Sequence, residues 1–279
     1  AEAMSTVAVA RGCKIPVHLK VDTGMGRLGM LPDSRRYVAA GIPPEKKAIA
    51  DVRAIHALAG LELEGVMTHF ATADSRDKTY AREQFACFQD FLAALDQAGI
   101  AVPIKHAANS GAIIDMPETH LDMVRAGISL YGLYPSDEVA KRRLTLKPAM
   151  TLKTRIINLK RVPAGFKVSY GCTYATPEPT TIATVALGYA DGYNRLLSSR
   201  GYMLVHGYKV PIVGRVCMDL TMLDVGDVSE VALEDEVVAF GCQDQAEITV
   251  DEIARQLNTI NYEVVATITK RVPRRFIGA

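Results

Sequence analysis

Apolar positions along the chain follow two spacings, and the change falls near Lys147. Before it, short apolar segments alternate with stretches of helical period. Met4, Val7, Ala8 and Arg11 lie at i, i+3, i+4 and i+7, which predicts an opening helix that ends at Gly12. Ile15 to Val21 predicts a strand. Residues 44 to 59 predict a helix with Ile49, Val52, Ile55 and Leu58 on one side. Leu63 to Met67 predicts a second strand, and Asp77 to Ala98 a long helix with Phe85, Phe88, Leu92 and Leu95 on its stripe. Ile100 to Ile104 and Leu121 to Val124 predict a third and a fourth strand.

Strands that alternate with helices build βαβ units and a parallel sheet. Here each strand runs into a polar or glycine-rich segment. The first leads to Asp22-Thr23-Gly24-Met25-Gly26-Arg27 and the second to Thr68 through Asp74. The third leads to Asn109-Ser110-Gly111, and the fourth to Arg125 and Gly127. Polar residues gathered at successive strand C-termini are the layout of a barrel's active face, and two neighbouring strand ends of this kind make a phosphate site. Lys20, Arg27, His69, Asn109, Ser110 and Arg125 then share one mouth. Taken singly, each has a plain reading as a strand-end cap, a hydrogen-bonded histidine or a surface charge. The repeated placement carries the signal. Only about four units are visible, where a closed barrel has eight. Either the sheet is open or the first units lie outside this sequence, and the uncapped opening helix favours the second.

From Ala149 onward the pattern is β-rich: Ala149 to Val162, Lys167 to Tyr174, Thr180 to Leu187, Tyr202 to Val205, Val210 to Val213, Thr221 to Val225 and Glu236 to Phe240. Gly, Pro, Asp and Asn punctuate these pieces, as in a compact β domain. Val250 to Leu257 predicts a short helix and Glu263 to Lys270 a closing strand. The fold class is therefore α/β: an incomplete (β/α)8 TIM-type barrel over residues 1–145, followed by a mainly β domain over 146–279.

Composition narrows the function. A chain of 279 residues with 49% hydrophobic and 23% charged residues has ample material for a core. A net charge of +1 argues against a dedicated nucleic-acid or anionic-membrane surface. No apolar run approaches the roughly 18 residues of a membrane span. The five cysteines are scattered without C-x-x-C, which fits a reduced, cytoplasmic protein, and the six histidines show no metal-ligand spacing.

Several motifs together give a more specific reading. They are HLKVDTGMGRLG (18–29), THFATAD (68–74), HAANSGA (106–112), VRAGISLYG (124–132), VSYGCTY (168–174), GYADGY (188–193), VGRVCMD (213–219) and TINYEV (259–264). In this order they resemble the alanine racemases, pyridoxal-phosphate enzymes that interconvert L- and D-alanine and supply D-alanine for peptidoglycan. The resemblance implies a homodimer with active sites shared between subunits. It implies that Arg125 faces the cofactor's pyridine nitrogen with His69 behind the ring. Asn109, Ser110, the backbone at Gly127 and Ile128, and Tyr262 are implied on the cofactor, most of them at its phosphate. Arg27 lies near the substrate carboxylate, and Lys20 matches a lysine that can be carbamylated to hold that arginine. Tyr170 is implied as the base or acid on one face of the substrate, with Tyr189 and Met218 at the entrance. Racemases of serine or lysine carry the same motifs, and a non-enzymatic cofactor binder or an inert remnant are the other readings.

The chemistry suits these residue types. Racemisation removes a Cα proton from one face and returns it to the other, so two bases are needed. An arginine is always protonated and keeps its proton, so the ring nitrogen beside it stays largely unprotonated. One departure stands out. The family's A-x-x-K-A-N-A-Y-G-H-G-like run, which carries the lysine that binds the cofactor covalently, is not in this sequence. About the first hundred residues of the family pattern are thus expected to be missing, and the chain alone to be inactive.

Overall fold

The computed structural model describes residues 1–32 and 48–278. They fall into two compact units, Ala1–Lys147 and Pro148–Ala279, a boundary two residues later than the composition suggested.

The first unit opens with α1 (Glu2–Ala10) and β1 (Ile15–Lys20). Then come α2 (Ala48–His56), β2 (Leu61–Met67), α3 (Thr79–Gln97), β3 (Ile104–His106) and α4 (Ser110–Asp115). The strands pair in parallel in the order β1-β2-β3, as βαβ units require. Residues 44–47 of the predicted second helix lie outside the described residues. In α1 the buried positions are Ser5 and Ala8, while Met4 and Val7 are exposed. The Ser5 hydroxyl accepts from the Gly60 N–H at 3.0 Å, so a polar anchor, not the apolar stripe, sets that helix's inner face.

Two strands differ from expectation. Ile100 and Val102 are buried, yet pairing starts only at Ile104, beyond Pro103, which has no N–H to give a ladder. The fourth strand shrinks to a bridge between Met123 and His106, because Leu121 adopts a positive φ of 51° and breaks the extended run. The backbone nevertheless stays tied to the third strand's end: Asp122 N–H donates to the Lys105 carbonyl at 3.1 Å and Arg125 N–H to that of Ala108 at 2.9 Å.

The parallel register does the positioning. It aligns Lys20, Met67 and His106 in one row across β1, β2 and β3. Between Val17↔Leu63 and His18↔Gly65 the register shifts, so Glu64 is the extra residue of a β-bulge. Behind the sheet, α3 buries Phe85, Phe88, Phe91 and Leu95 against a cluster that includes Val21, Leu63 and Val66. Phe85 meets Phe70 edge to face, with ring centroids 6.3 Å apart.

The second unit holds an antiparallel sheet in the order β10-β7-β4-β11-β8-β9, with β12 paired to β11. Its strands are β4 (Leu152–Val162), β7 (Thr180–Val185), β8 (Tyr202–Val205), β9 (Tyr208–Pro211), β10 (Thr221–Asp224), β11 (Glu236–Gln243) and β12 (Ala246–Ile248). The small pair β5 (Lys167–Val168) and β6 (Tyr174–Ala175) flanks a 3-10 turn at Tyr170–Cys172. Helix α5 (Val250–Leu257) is capped by the Thr249 hydroxyl, which accepts from the Glu252 N–H. The predicted strand at Glu263 to Lys270 is instead helix in its first half, within α6 (Asn261–Ala266). Val264 and Val265 are both buried there, which the alternating faces of a strand do not favour. The Asn261 amide also donates to the Asp251 carboxylate of α5 at 2.8 Å, which fixes the first turn.

Phe88 is fully buried in the first unit's core. Phe88→Ala is expected to lower that unit's stability by about 3–5 kcal/mol, read from urea unfolding followed by circular dichroism.

Candidate functional site

The C-terminal ends of β1, β2 and β3, with the Met123–Gly127 segment, gather most of the singled-out residues of the first unit. After β1 the chain turns through a loop organised by one carboxylate. Asp22 Oδ1 accepts from the N–H groups of Gly24, Met25 and Gly26 at 3.0, 2.8 and 3.1 Å, and Oδ2 accepts from Arg27 N–H at 3.1 Å. Burial raises the Asp22 pKa, but these four hydrogen bonds outweigh it and hold the carboxyl below its ordinary value. The loop then folds back, with Met30 N–H donating to Lys20 O at 3.0 Å and Asp22 N–H to Met30 O at 2.8 Å. Gly29 makes this closure possible: at φ 125° a Cβ there would lie 2.9 Å from Lys20 O. Arg27 is thereby carried on a fixed backbone, and its side chain is exposed. The Lys20 ammonium donates to Leu28 O at 2.7 Å. Its pKa is lowered by burial first and then by the charges of Arg27 and Arg125.

The second strand end is stapled to the first. Thr68 Oγ1 donates to Val21 O at 3.0 Å, so the 2.7 Å contact with Thr23 Oγ1 has Thr23 as donor. Next to it, the fully buried Gln84 of α3 braces the His69–Ala71 backbone. Its amide donates to His69 O at 3.0 Å, and its carbonyl accepts from Ala71 N–H at 2.9 Å.

Arg125 lies at the centre. Nη2 donates to Thr68 O at 2.7 Å and to Ala107 O at 3.0 Å, and Nη1 donates to His106 Nδ1 at 2.7 Å. His69 Nδ1 stands 3.4 Å from Nη2, a longer contact than the one to His106. The guanidinium has five N–H groups. Its Nε–H and second Nη1–H have no hydrogen-bond partner among the described residues. His69 is pushed down to about 4 by burial and then by the charges of Arg125, Arg27 and Lys20. His106 is likewise pushed down to about 4, by burial, then Arg125, then His18. Both imidazoles are therefore neutral near pH 7.

Beside Arg125, Ser110 makes a polar nest. Its hydroxyl oxygen accepts from Gly127 N–H at 2.9 Å and Ser129 N–H at 3.3 Å and lies 3.1 Å from Ser129 Oγ. Ile128 starts the 3-10 turn Ile128–Tyr131, so first-turn amides collect at this point. Asn109 is engaged locally: Oδ1 caps α4 by accepting from Ala112 N–H at 3.1 Å, and its amide reaches Phe70 O at 3.4 Å. Its visible work is thus to orient α4 and place Ser110, rather than to present a side chain at the mouth.

The other candidates belong to the second unit. Tyr170 begins the Tyr170–Cys172 turn and is 73% exposed. The preceding Ser169 hydroxyl donates to Arg215 O at 2.8 Å, which ties this turn to the segment that carries Met218. Tyr189 and Met218 adjoin through backbone: Tyr189 N–H donates to Cys217 O at 3.0 Å and Ala190 N–H to Met218 O at 2.9 Å. Tyr170 and Cys217 also line an open groove of about 360 Å³ with Phe166, Leu220 and Met222. Tyr262 lies in the first turn of α6.

The two halves of the chain match two family descriptions, "Alanine racemase, N-terminal domain" over residues 1–135 and "Alanine racemase, C-terminal domain" over residues 149–276. An alanine racemase of Desulfosudis oleivorans is 60% identical over 98% of this chain and 69% of its own length. The chain belongs to the alanine racemase family. Among solved structures, the alanine racemase of Clostridium difficile 630 superposes with a TM-score of 0.88 at 41% identity, over 96% of this chain and 66% of that one. The alanine racemase of Bartonella henselae, solved with covalently bound pyridoxal phosphate, gives 0.79 at 28% identity over 99% and 70%. The chain thus has the alanine racemase fold, an N-terminal TIM-like barrel domain and a C-terminal mainly β domain. It spans about two thirds of the length of these relatives.

Motif reading passed over His106, Thr68 and Gln84, although His106 opens one of the family motifs. A histidine row-aligned with Met67 at a strand end can be seen only once register is known.

The two depressed histidines give the fold a pH dependence. Above the ordinary imidazole value of about 6.5, both folded and unfolded rings are neutral and nothing is lost. As pH falls from there toward 4, the unfolded chain takes up protons that the folded one refuses, so stability drops. Each pKa unit corresponds to about 1.4 kcal/mol per ring. Urea midpoints are expected to fall between pH 6.5 and 4.5, and less steeply in His69→Asn.

Proposed function

We propose that the residues of this chain serve amino-acid racemisation, the interconversion of L- and D-alanine, with pyridoxal 5'-phosphate as cofactor. One observation carries the reading: a pinned guanidinium, a neutral histidine and a nest of hydroxyl and amide donors lie side by side at three successive strand ends. These residue types fit the parts of that cofactor. Ser110 Oγ already gathers the N–H groups that a phosphate takes, and a Cβ built on Gly127 would meet only that hydroxyl, at 3.6 Å. Ser110, the backbone at Gly127 and Ile128, and Tyr262 would hold the phosphate. Asn109 would support them through its cap. Arg125 would face the pyridine nitrogen, and His69 the ring.

When bound, the cofactor supplies an electron sink that acidifies the substrate Cα–H. The protein's own groups do the rest. Arg125 donates hydrogen bonds without surrendering a proton: burial lowers its pKa, but from a value far above neutrality. Arg27, on its Asp22-bound loop, would take the substrate carboxylate. Lys20, with its lowered pKa, would be carbamylated and turn from a neighbouring cation into a partner for Arg27. Tyr170 would hold or deliver the proton on one face, and Tyr189 and Met218 would line the entrance. In a homodimer, Tyr170 and Met218 would serve the neighbouring subunit's cofactor. D-alanine made in the cytoplasm would go to peptidoglycan, and five free thiols suit that reduced setting. A cofactor carrier without catalysis would have no use for Tyr170.

The covalent anchor is a separate matter. No lysine of this sequence stands in the family's lysine-bearing run, and Lys20 is engaged with Leu28. We propose that the 279-residue chain by itself binds the cofactor only through its phosphate and ring and does not racemise alanine.

With added pyridoxal phosphate, the isolated chain is expected to show the near-ultraviolet absorbance of a free aldehyde that dialyses away, and no D-alanine in a coupled oxidase assay. D-alanine formation would overturn the need for a lysine outside these residues. Ser110→Ala is expected to weaken cofactor binding by about tenfold, the scale of one hydrogen bond to a charged group, measured by fluorescence titration.

A further inference from the structure

Behind Arg125 a chain of side chains leads out of the site through residues that the proposed function does not use. Arg125 Nη1 reaches His106 Nδ1 at 2.7 Å, and His106 Nε2 reaches His18 Nδ1 at 2.7 Å. His18 Nε2 then reaches Glu64 Oε2 at 2.9 Å. The donors in this chain are determined. A guanidinium can only donate, so His106 Nδ1 accepts and its proton sits on Nε2. His106 Nε2–H then donates to His18 Nδ1, which leaves the His18 proton on Nε2, aimed at the Glu64 carboxylate. Every bond points the same way, from the cation to the anion.

The backbone is shaped for this chain. His18 sits opposite Gly65, two rows short of the His106–Met67 row, and must cross β2 to reach His106. A Cβ on Gly65 would lie 2.3 Å from His18 Nδ1, so only glycine admits the ring. The two imidazoles meet edge to face, with centroids 4.9 Å apart. Glu64 is the extra residue of the bulge, an irregularity that re-aims a side chain. A bulge, a glycine and three hydrogen bonds thus converge on a single line.

We propose that Glu64 and His18 are positioning residues for Arg125: the Glu64 carboxylate, acting through two neutral imidazoles of fixed tautomer, orients the guanidinium and keeps it a donor. Neither residue touches the substrate or the cofactor. The assignment to a ring-nitrogen contact rests on the function proposed above, whereas the chain itself does not. Its middle cannot be reversed while Arg125 occupies His106 Nδ1. The dipoles of the aligned bonds reinforce one another, so a change at Glu64 is felt at His106.

The test is histidine tautomer by long-range proton–nitrogen correlation on the ¹⁵N-histidine-labelled 279-residue chain near neutral pH, with signals assigned by His18→Gln and His106→Gln. Both rings are expected as the Nε2–H tautomer. Glu64→Gln, at a side chain 45% exposed, should keep the native circular dichroism spectrum. It should shift the His18 Nε2 signal and, through it, the His106 nitrogen signals while both tautomers are kept, a change that a merely structural glutamate would not cause. An Nδ1–H tautomer at His106, or His106 signals unmoved in Glu64→Gln, would overturn the proposal. Gly65→Ala is a second probe, expected to release His18 from His106 and give the same His106 shift. Titration with pyridoxal phosphate separates the two ideas. Expected tautomers without cofactor binding would sink the functional reading and leave the chain standing, and binding with the wrong tautomer would do the reverse.

Discussion

The Arg125 guanidinium donates at once to the carbonyls of Thr68 and Ala107 and to His106. It therefore fastens together the ends of the second and third strands and the segment that follows them. A half-buried cation with no carboxylate partner among the described residues is costly unless its hydrogen bonds are met. Here the carbonyls at parallel strand ends meet them, and those carbonyls are available because the strand ladder stops there. The same constraint adds to burial, the larger cause, in keeping the histidines neutral. With a fixed positive charge within hydrogen-bond reach, neither His69 nor His106 readily takes a second proton.

Around this point lie further buried polar groups. Thr68 and Thr23 join strand ends, Gln84 holds the His69 backbone from α3, and Asp22 gathers four amides into the loop that bears Arg27. A further buried ion pair, Lys78 with Asp115 at 2.9 Å, ties the loop after β2 to the end of α4, and Lys78 also donates to Ala73 O at 2.9 Å. None of these residues needs to touch a ligand. Their effect is to take conformational freedom from loops before anything binds, which is how a site on strand-end loops becomes rigid.

The irregular features are where the chain departs from ideal geometry for a purpose. The bulge at Glu64, the absent side chain at Gly65 and the left-handed turn at Gly29 each break a local rule. Each opens room for a contact that a regular strand or loop excludes. Asn109 illustrates the converse. Its position in a family motif suggests a ligand contact, yet its side-chain carbonyl caps a helix by accepting from Ala112 N–H, and Ser110 is held at the mouth as a consequence.

Periodicity alone determined the order of strands and helices in the first unit, the β-rich character of the second and the change near Lys147, because burial on one face writes period 2 or 3.6 into the sequence. The motifs named the family and most of the mouth residues, because those residue types are dictated by the chemistry they serve. Tertiary structure decided the rest. Glu263 to Lys270 is rich in β-branched residues and reads as a strand, but contacts with α5 make its first part a helix. Leu121 to Val124 reads as a strand, but one positive φ leaves it a single bridge. The link from Glu64 through His18 and His106 to Arg125 joins residues far apart in sequence. It depends on a one-residue register shift between two strands, which no local pattern encodes.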